Sequence, residues 1–358
     1  MRFARLAGGC ALVYFLSSGE RRAKKAAAQM ARGGTMPSPT TVLLAALLLA
    51  GASGAAHAQT YPSATVKLIV PVPAGGVTDT MARIVAQRLT EAWGQPVVVD
   101  NRPGGNYAVG AQAVAKSPPD GLTLLVAPDS TVTANPHLFS KLPYDPVKDL
   151  TPIIVLCRIT PVLVINPSLP VQNVQELIAL AKAKPGSLNY GSYGIGTYAH
   201  LSMEDFKQRT GTDIVHIPYR GAAPAATALL AGDVAMLLLN LSSIEEHEKT
   251  GKARILAAAG EKRAALRPDL PTIAEAGVPG FSTTAWFALF GPANMAPELV
   301  AKIHADVAKV LELPQSREFF RVNSFERVDL TPAQFSKLIQ DDLAHWGALI
   351  KAVGAKLD

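Results

Sequence analysis

Apolar positions recur along residues 59–358 in two registers. Short β-branched runs predict strands over 66–70, 97–100, 123–126, 153–157, 162–165, 214–217, 235–239, 255–258 and 284–290, with a further strand entering the glycine-rich turn after 188. Between them a 3.6-residue period predicts helices. The first, over 78–93, aligns Met81, Ile84, Val85, Leu89 and Ala92 on one face, and Gly94-Gln95-Pro96 stops it. Asn173, with Glu176 three residues later, caps a helix striped by Val174, Leu177, Ile178 and Ala181. Leu299, Ile303, Val307 and Val310 line another over 298–311, and Thr331-Pro332-Ala333-Gln334 is a capping box with Pro at the first helical position. Strand-helix alternation of this kind predicts an α/β architecture with parallel sheets covered on both faces.

One junction breaks the alternation. Only Arg158-Ile159-Thr160-Pro161 separates two apolar strands, too little for the dozen or more residues of a parallel crossover. The chain is therefore expected to pass there from one domain to another, and the extended run 283–292 is the natural return. The length after the first 58 residues also exceeds what a single core usually holds. Domain 1 is expected at 59–158 plus 286–358 and domain 2 at 159–285, with two crossings that form a hinge.

Charge changes the picture only at the start of the chain. The 358 residues carry a formal net charge of +6. Arg2, Arg5, Arg21, Arg22, Lys24, Lys25 and Arg32 against Glu20 supply all of it, so the remainder is balanced and offers no footprint for nucleic acid or anionic lipid. An apolar run over 42–49, shorter than the roughly 20 residues of a membrane span, precedes Ala56-His57-Ala58. That is the pattern of an export leader, residues 1–58, cleaved before Gln59. Loss of Cys10 with the leader leaves Cys157 without a disulfide partner, and its apolar run reads as a buried, inert thiol.

Two segments carry candidate chemistry. Strand 67–70 runs into Pro71-Val72-Pro73-Ala74-Gly75-Gly76-Val77-Thr78-Asp79, where a helix begins. Glycines there let backbone N–H groups face a ligand and the helix dipole favours an anion, although a plain tight βα turn fits equally well. The second segment, Leu188 to Ala199, matches a relaxed Gly-x-Gly-x-x-Ala fingerprint, but Asp213 precedes the next strand instead of closing it, which argues against a dinucleotide. Tyr190 stands where a nucleophile elbow needs Gly. Taken together, the loops predict one anion-binding turn in each domain, facing across a cleft. Main-chain amides and the hydroxyls of Thr78, Ser192 and Thr197 would clamp a small carboxylate.

The remaining candidates are weaker. His200 and Glu204 lie one turn apart without a third metal ligand, and His216 within a strand reads as a core histidine. Asp100 to Asn106 is either an Arg-lined cleft loop or a helix-entry turn, and Trp286 and Phe287 either wall the cleft or pack. No catalytic residue, metal site or cofactor is expected.

"PAGGVTD" at 73–79, "GQPVVVDNRPGG" at 94–105, "LPYDPVKDLTPI" at 142–153, "LNYGSYGIGT" at 188–197, "HIPYRGAAPA" at 216–225, "LPTIAEAGVPGF" at 270–281 and "AWF" at 285–287 occur in that order. This set, which spans essentially all of 59–358, resembles the Bug-type substrate-binding proteins of tripartite tricarboxylate transporters. The resemblance implies a two-domain periplasmic binding protein, type II-like, that closes like a Venus flytrap and is not an enzyme. It implies ligand contacts at Ala74, Gly75, Gly76, Thr78 and Asp79 in one lobe and at Ser192, Tyr193, Gly194 and Thr197 in the other. It further implies a small organic carboxylate as ligand, and a monomer that delivers it to membrane transporter subunits. The alternatives are an exported, hydrolase-like α/β enzyme or a ligand sensor feeding a signalling system. Two departures bear on the ligand. Val72 replaces a frequent aromatic of the family, and Ala235 to Asn240 lacks the two acids usual there, one at the position of Leu239. Both point away from an amino acid and toward a less polar acid.

Overall fold

The computed structural model describes residues 61–357, so the leader, its cleavage site and Cys10 lie outside the described residues. From Tyr61 onward the chain forms one compact unit. Its elements in order are β1 (Val66–Val70), α1 (Val77–Trp93), β2 (Val97–Asn101), α2 (Ala108–Ala115), β3 (Thr123–Pro128), α3 (Ser130–Thr133), α4 (Asn135–Leu138), β4 (Leu150–Ile159) and β5 (Pro161–Ile165). They continue with α5 (Val174–Ala183), β6 (Leu188–Ser192), α6 (Tyr198–Thr210), β7 (Ile214–Pro218), α7 (Ala222–Ala231), β8 (Met236–Asn240), α8 (Glu245–Lys249) and β9 (Arg254–Ala258). The last are β10 (Ala285–Pro292), α9 (Pro297–Leu311), α10 (Pro314–Val322), β11 (Phe325–Glu326) and α11 (Pro332–Val353).

Local grammar explains the helices. In α1, Met81, Val85 and Leu89 are buried, and Gly94 adopts φ 66°, donating its N–H to Thr90 O; a left-handed stop of this kind suits glycine. Asn173 accepts the Glu176 N–H at the start of α5. At α11 the Thr331 hydroxyl accepts the Gln334 N–H while the Gln334 side chain accepts the Thr331 N–H, satisfying two otherwise orphaned donors.

The strands form two sheets, ordered β11-β4-β10-β3-β1-β2 and β7-β6-β8-β5-β9. Both sheets are mixed, not parallel as strand-helix alternation predicts. β1 pairs in parallel with β2 and β3, and β6 with β7 and β8. β10 runs antiparallel to β3 and β4, and β5 runs antiparallel to β8 and β9. The physical reason is the junction between strands. Thr160 alone separates β4 in the first sheet from β5 in the second, so neither is reached by a βα crossover from its neighbour. The return runs from β9 to β10. Helices α1 and α9 cover one face of the first sheet and α2 and α11 the other. Cys157 is buried and free, and burial raises its thiol pKa. Among the described residues no helix is long and apolar enough to cross a membrane.

Candidate functional site

The carboxyl ends of β1, β2 and β6 feed three glycine-rich loops. In α/β sheets such ends are where ligands bind, because helix N-termini and irregular backbone converge there. The first loop leaves β1 at Val70 and enters α1 through Gly76, which is extended, after Gly75 at φ 96°. A Cβ on Gly75 or Gly76 would meet nothing within 4 Å, so this backbone faces open space. Ala74 and Gly75 are exposed, whereas Thr78 and Asp79 are buried.

Asp79 shapes the loop. Its Oδ2 accepts the Gly75 N–H at 3.0 Å and the Arg83 Nε–H at 2.9 Å, and its Oδ1 accepts from Asn101 Nδ2 at 2.9 Å. Asn101 Nδ2 also donates to Val72 O, tying β2 to the same turn. Burial works against the charge, but hydrogen bonds from Arg83, Asn101 and Gly75 outweigh it and lower the Asp79 pKa. With both oxygens committed, Asp79 positions the loop, and the Gly75 amide points back into the protein. Asp79→Ala is expected to cost about 2 kcal/mol, because the part-buried Asn101 amide and the Gly75 N–H lose their shared acceptor. Urea unfolding measures this, and Asp79→Asn should recover part of the loss.

The second loop is braced from within. Thr197 Oγ1 donates to Gly194 O at 2.8 Å, the Gly194 N–H donates to Ser192 Oγ at 3.2 Å, and the Gly196 N–H donates to His200 Nδ1 at 3.1 Å. Ser192 Oγ lies 2.6 Å from His216 Nε2. The hydroxyls of Ser192 and Thr197, expected from sequence to face ligand, are thus engaged by the loop itself. Tyr193 donates its hydroxyl to Leu238 O at 2.5 Å and accepts from the Tyr198 hydroxyl. Beneath the loop His200 stacks on His216 with ring centres 4.2 Å apart, and His216 stacks on Tyr190 at 4.8 Å. Desolvation lowers the His200 pKa to about 4; desolvation, followed by repulsion from His200, lowers that of His216 to about 3. Both rings are therefore neutral at neutral pH. His200 is a loop brace, and Glu204, read as its possible metal partner, instead accepts from the Tyr190 hydroxyl and Lys207.

A third loop, 102–107, meets the second. Gly104, Gly105, Asn106 and Tyr107 all have positive φ, the last two at 47° and 76°. Consecutive non-glycine residues in this region store strain that needs outside support. Asn135 provides it: its Nδ2 donates to Asn106 O at 2.6 Å, while Asn106 Nδ2 donates to Asn135 Oδ1 at 2.8 Å. A Cβ on Gly196 would fall 2.0 Å from Leu138 Cδ1 and 3.5 Å from Asn106 Nδ2. The second loop therefore packs on the 106–138 region. No second-sheet atom lies within 4 Å of the position a Cβ would take on Gly75 or Gly76.

Several site residues escaped sequence reasoning. Asn135 and Asp129 are buried at the carboxyl end of β3, a strand whose loop has no glycine signature. Asp129 accepts from the Ser130 and Trp286 main-chain N–H groups, and burial together with the nearby Asp342 raises its pKa to about 7. Arg102 pairs with Asp100, so it does not line the cleft as a bare cation. Trp286 is buried, with its indole N–H donated to Asp342. Val72 packs on the first core and Leu239 is buried in the second.

Residues 81–355 match the model of the tripartite tricarboxylate transporter family receptor. Protein BugT of Bordetella pertussis is 37% identical over 309 residues, which is 86% of this chain and 95% of BugT. Among solved structures, Rpa4515 of R. palustris with adipate is 36% identical, with a TM-score of 0.79, over 83% of this chain and 100% of that one. MatC of Rhodopseudomonas palustris with bound malate is 29% identical, with a TM-score of 0.75, over 81% and 100%. The two mixed sheets, the glycine loops at their carboxyl edges and these matches together place the chain in the tripartite tricarboxylate transporter receptor family, among the Bug-type periplasmic solute-binding proteins.

Proposed function

We propose that the protein captures a small organic carboxylate between two lobes, 59–158 with 286–358 and 159–285, and hands it as a periplasmic monomer to a tripartite tricarboxylate-type transporter. The observation that carries this reading is the pair of strand–glycine–helix junctions, at 70–77 and 192–198. The first N–H groups of α1 and α6 have no intrahelical acceptor, and the helix dipoles add partial positive charge. Ala74, Gly75, Gly76, Thr78 and Asp79 would shape one half of the clamp, and Ser192, Tyr193, Gly194 and Thr197 the other. Adipate and malate in related structures support a dicarboxylate, and the lack of an acid at Leu239 favours an aliphatic one over an amino acid.

Catalysis is the poorer reading, although Ser192 and His216 lie at the distance of a nucleophile and its base. Ser192 is 0% exposed and already serves as acceptor for the Gly194 amide. A substrate carbonyl has no path to it.

Thermal unfolding against mono-, di- and tricarboxylates, amino acids and aromatic acids tests the proposal. A ligand at about 1,000 times its dissociation constant adds roughly 4 kcal/mol, which is expected to raise the midpoint by several degrees. The shift should be largest for aliphatic dicarboxylates and absent in Gly75→Ala, whose φ of 96° an L-residue resists. No shift with any acid after denaturing and refolding would sink it, and a preference for glutamate or aspartate would overturn the ligand class.

A further inference from the structure

A second, smaller cavity of about 130 Å³ lies where the two chain crossings meet α11. None of its walls comes from the glycine loops. Arg158 enters from the end of β4, Ser282 and Thr284 from the return crossing, Trp286 from β10, and Asp342 and Trp346 from α11. Arg158 makes no side-chain hydrogen bond or ion pair among the described residues, and its Nε is buried without a partner. Asp342 makes one hydrogen bond, in which Oδ2 accepts the Trp286 indole N–H at 2.6 Å, and His345, in the same wall, also interacts with it electrostatically. The two charges are near enough to interact electrostatically, yet they form no ion pair.

The part-buried Arg158 and Asp342 thus bring to one cavity a guanidinium whose buried Nε has no partner and a carboxylate with one oxygen left to accept. A plain anion on Arg158 would face Asp342, and a plain cation on Asp342 would face Arg158. A zwitterion satisfies both. The volume equals that of about four waters in the liquid, and the indoles of Trp286 and Trp346 leave an apolar wall for a short side chain. We propose that this cavity binds a small neutral α-amino acid, its carboxylate on Arg158 and its ammonium on Asp342. Such a ligand touches both crossings and so stands where it biases opening and closing of the clamp. That consequence rests on the two-lobe reading above, whereas the binding itself does not.

The test uses tryptophan fluorescence, since two of the chain's three tryptophans line the cavity. Alanine is titrated into the protein, with propionate and ethylamine as single-charge controls. The readout is the part of the response lost in Arg158→Met, which separates the cavity from binding in the cleft. Alanine is expected to give a saturable response of this kind and the controls none. Asp342→Asn, which keeps an acceptor for Trp286, is expected to weaken it by about tenfold or more. Both variants should keep the wild-type unfolding midpoint shift with adipate. No response to alanine, a response to alanine identical in the wild type and both variants, or an equal Arg158-dependent response to propionate would each overturn the proposal.

Discussion

Between neutral pH and about pH 4.5, the wild-type protein is expected to lose about 3 kcal/mol of stability relative to a His200→Asn/His216→Gln double variant. Both histidines have folded-state pKa values, about 4 and about 3, below the ordinary 6.5. The unfolded chain therefore takes up protons first as the pH falls. The stabilisation is fully present above pH ~6.5 and is lost progressively below it. The figure is about half of the roughly 5 kcal/mol that the shifts would give over this pH interval, because His216 is partly exposed and screened. Asp129 works in the opposite direction: its raised pKa, about 7, makes the folded state favour the proton, so acidification stabilises that site. Comparison with the double variant cancels Asp129 and leaves the histidines. Asn at 200 retains an acceptor for the Gly196 N–H, and Gln at 216 retains one for Ser192, so the loop can stay braced. Urea unfolding at several pH values reads the difference, and parallel curves for the two proteins would refute the assignment.

Gly196→Ala is expected to cost about 2–5 kcal/mol and to abolish carboxylate-dependent stabilisation. Two penalties combine. The backbone sits at φ 80°, where a Cβ costs about 1–2 kcal/mol, and the new methyl would fall 2.0 Å from Leu138 Cδ1. Leu138 is 1% exposed and packs with Leu201 and Trp346, so it has little room to yield. Overpacking of this kind costs about 1–3 kcal/mol. Gly211→Ala is the control, since Gly211 has φ 62° but nothing within 4 Å of its added Cβ. It should show the backbone penalty alone and keep ligand binding. Equal losses at the two positions would mean that the contact with Leu138 does not matter.

Much of the fold was legible because it is written in local physics. Helix α1, with its glycine stop, and α11, with its reciprocal cap, need only near neighbours to form. The same holds for both glycine loops, whose composition marks a backbone that other residues cannot adopt. The junction at Thr160 was readable for a different reason: chain length forbids a crossover there. The pairing direction of β4, β5 and β10 was not readable, because it depends on which distant strand each one meets.

The site divides along the same line. By itself the sequence determined where the glycine turns fall, which helices start beside them, and the family to which their order belongs, since each depends on residues within a few positions of one another. Only the tertiary structure decided what those turns do with their polar groups. Asp79 reaches Asn101, Asn135 supports Asn106, and His216 meets Ser192 across a strand pair, joining residues 22, 29 and 24 positions apart. A buried donor takes whichever acceptor packing brings to it, and packing is a property of the whole chain.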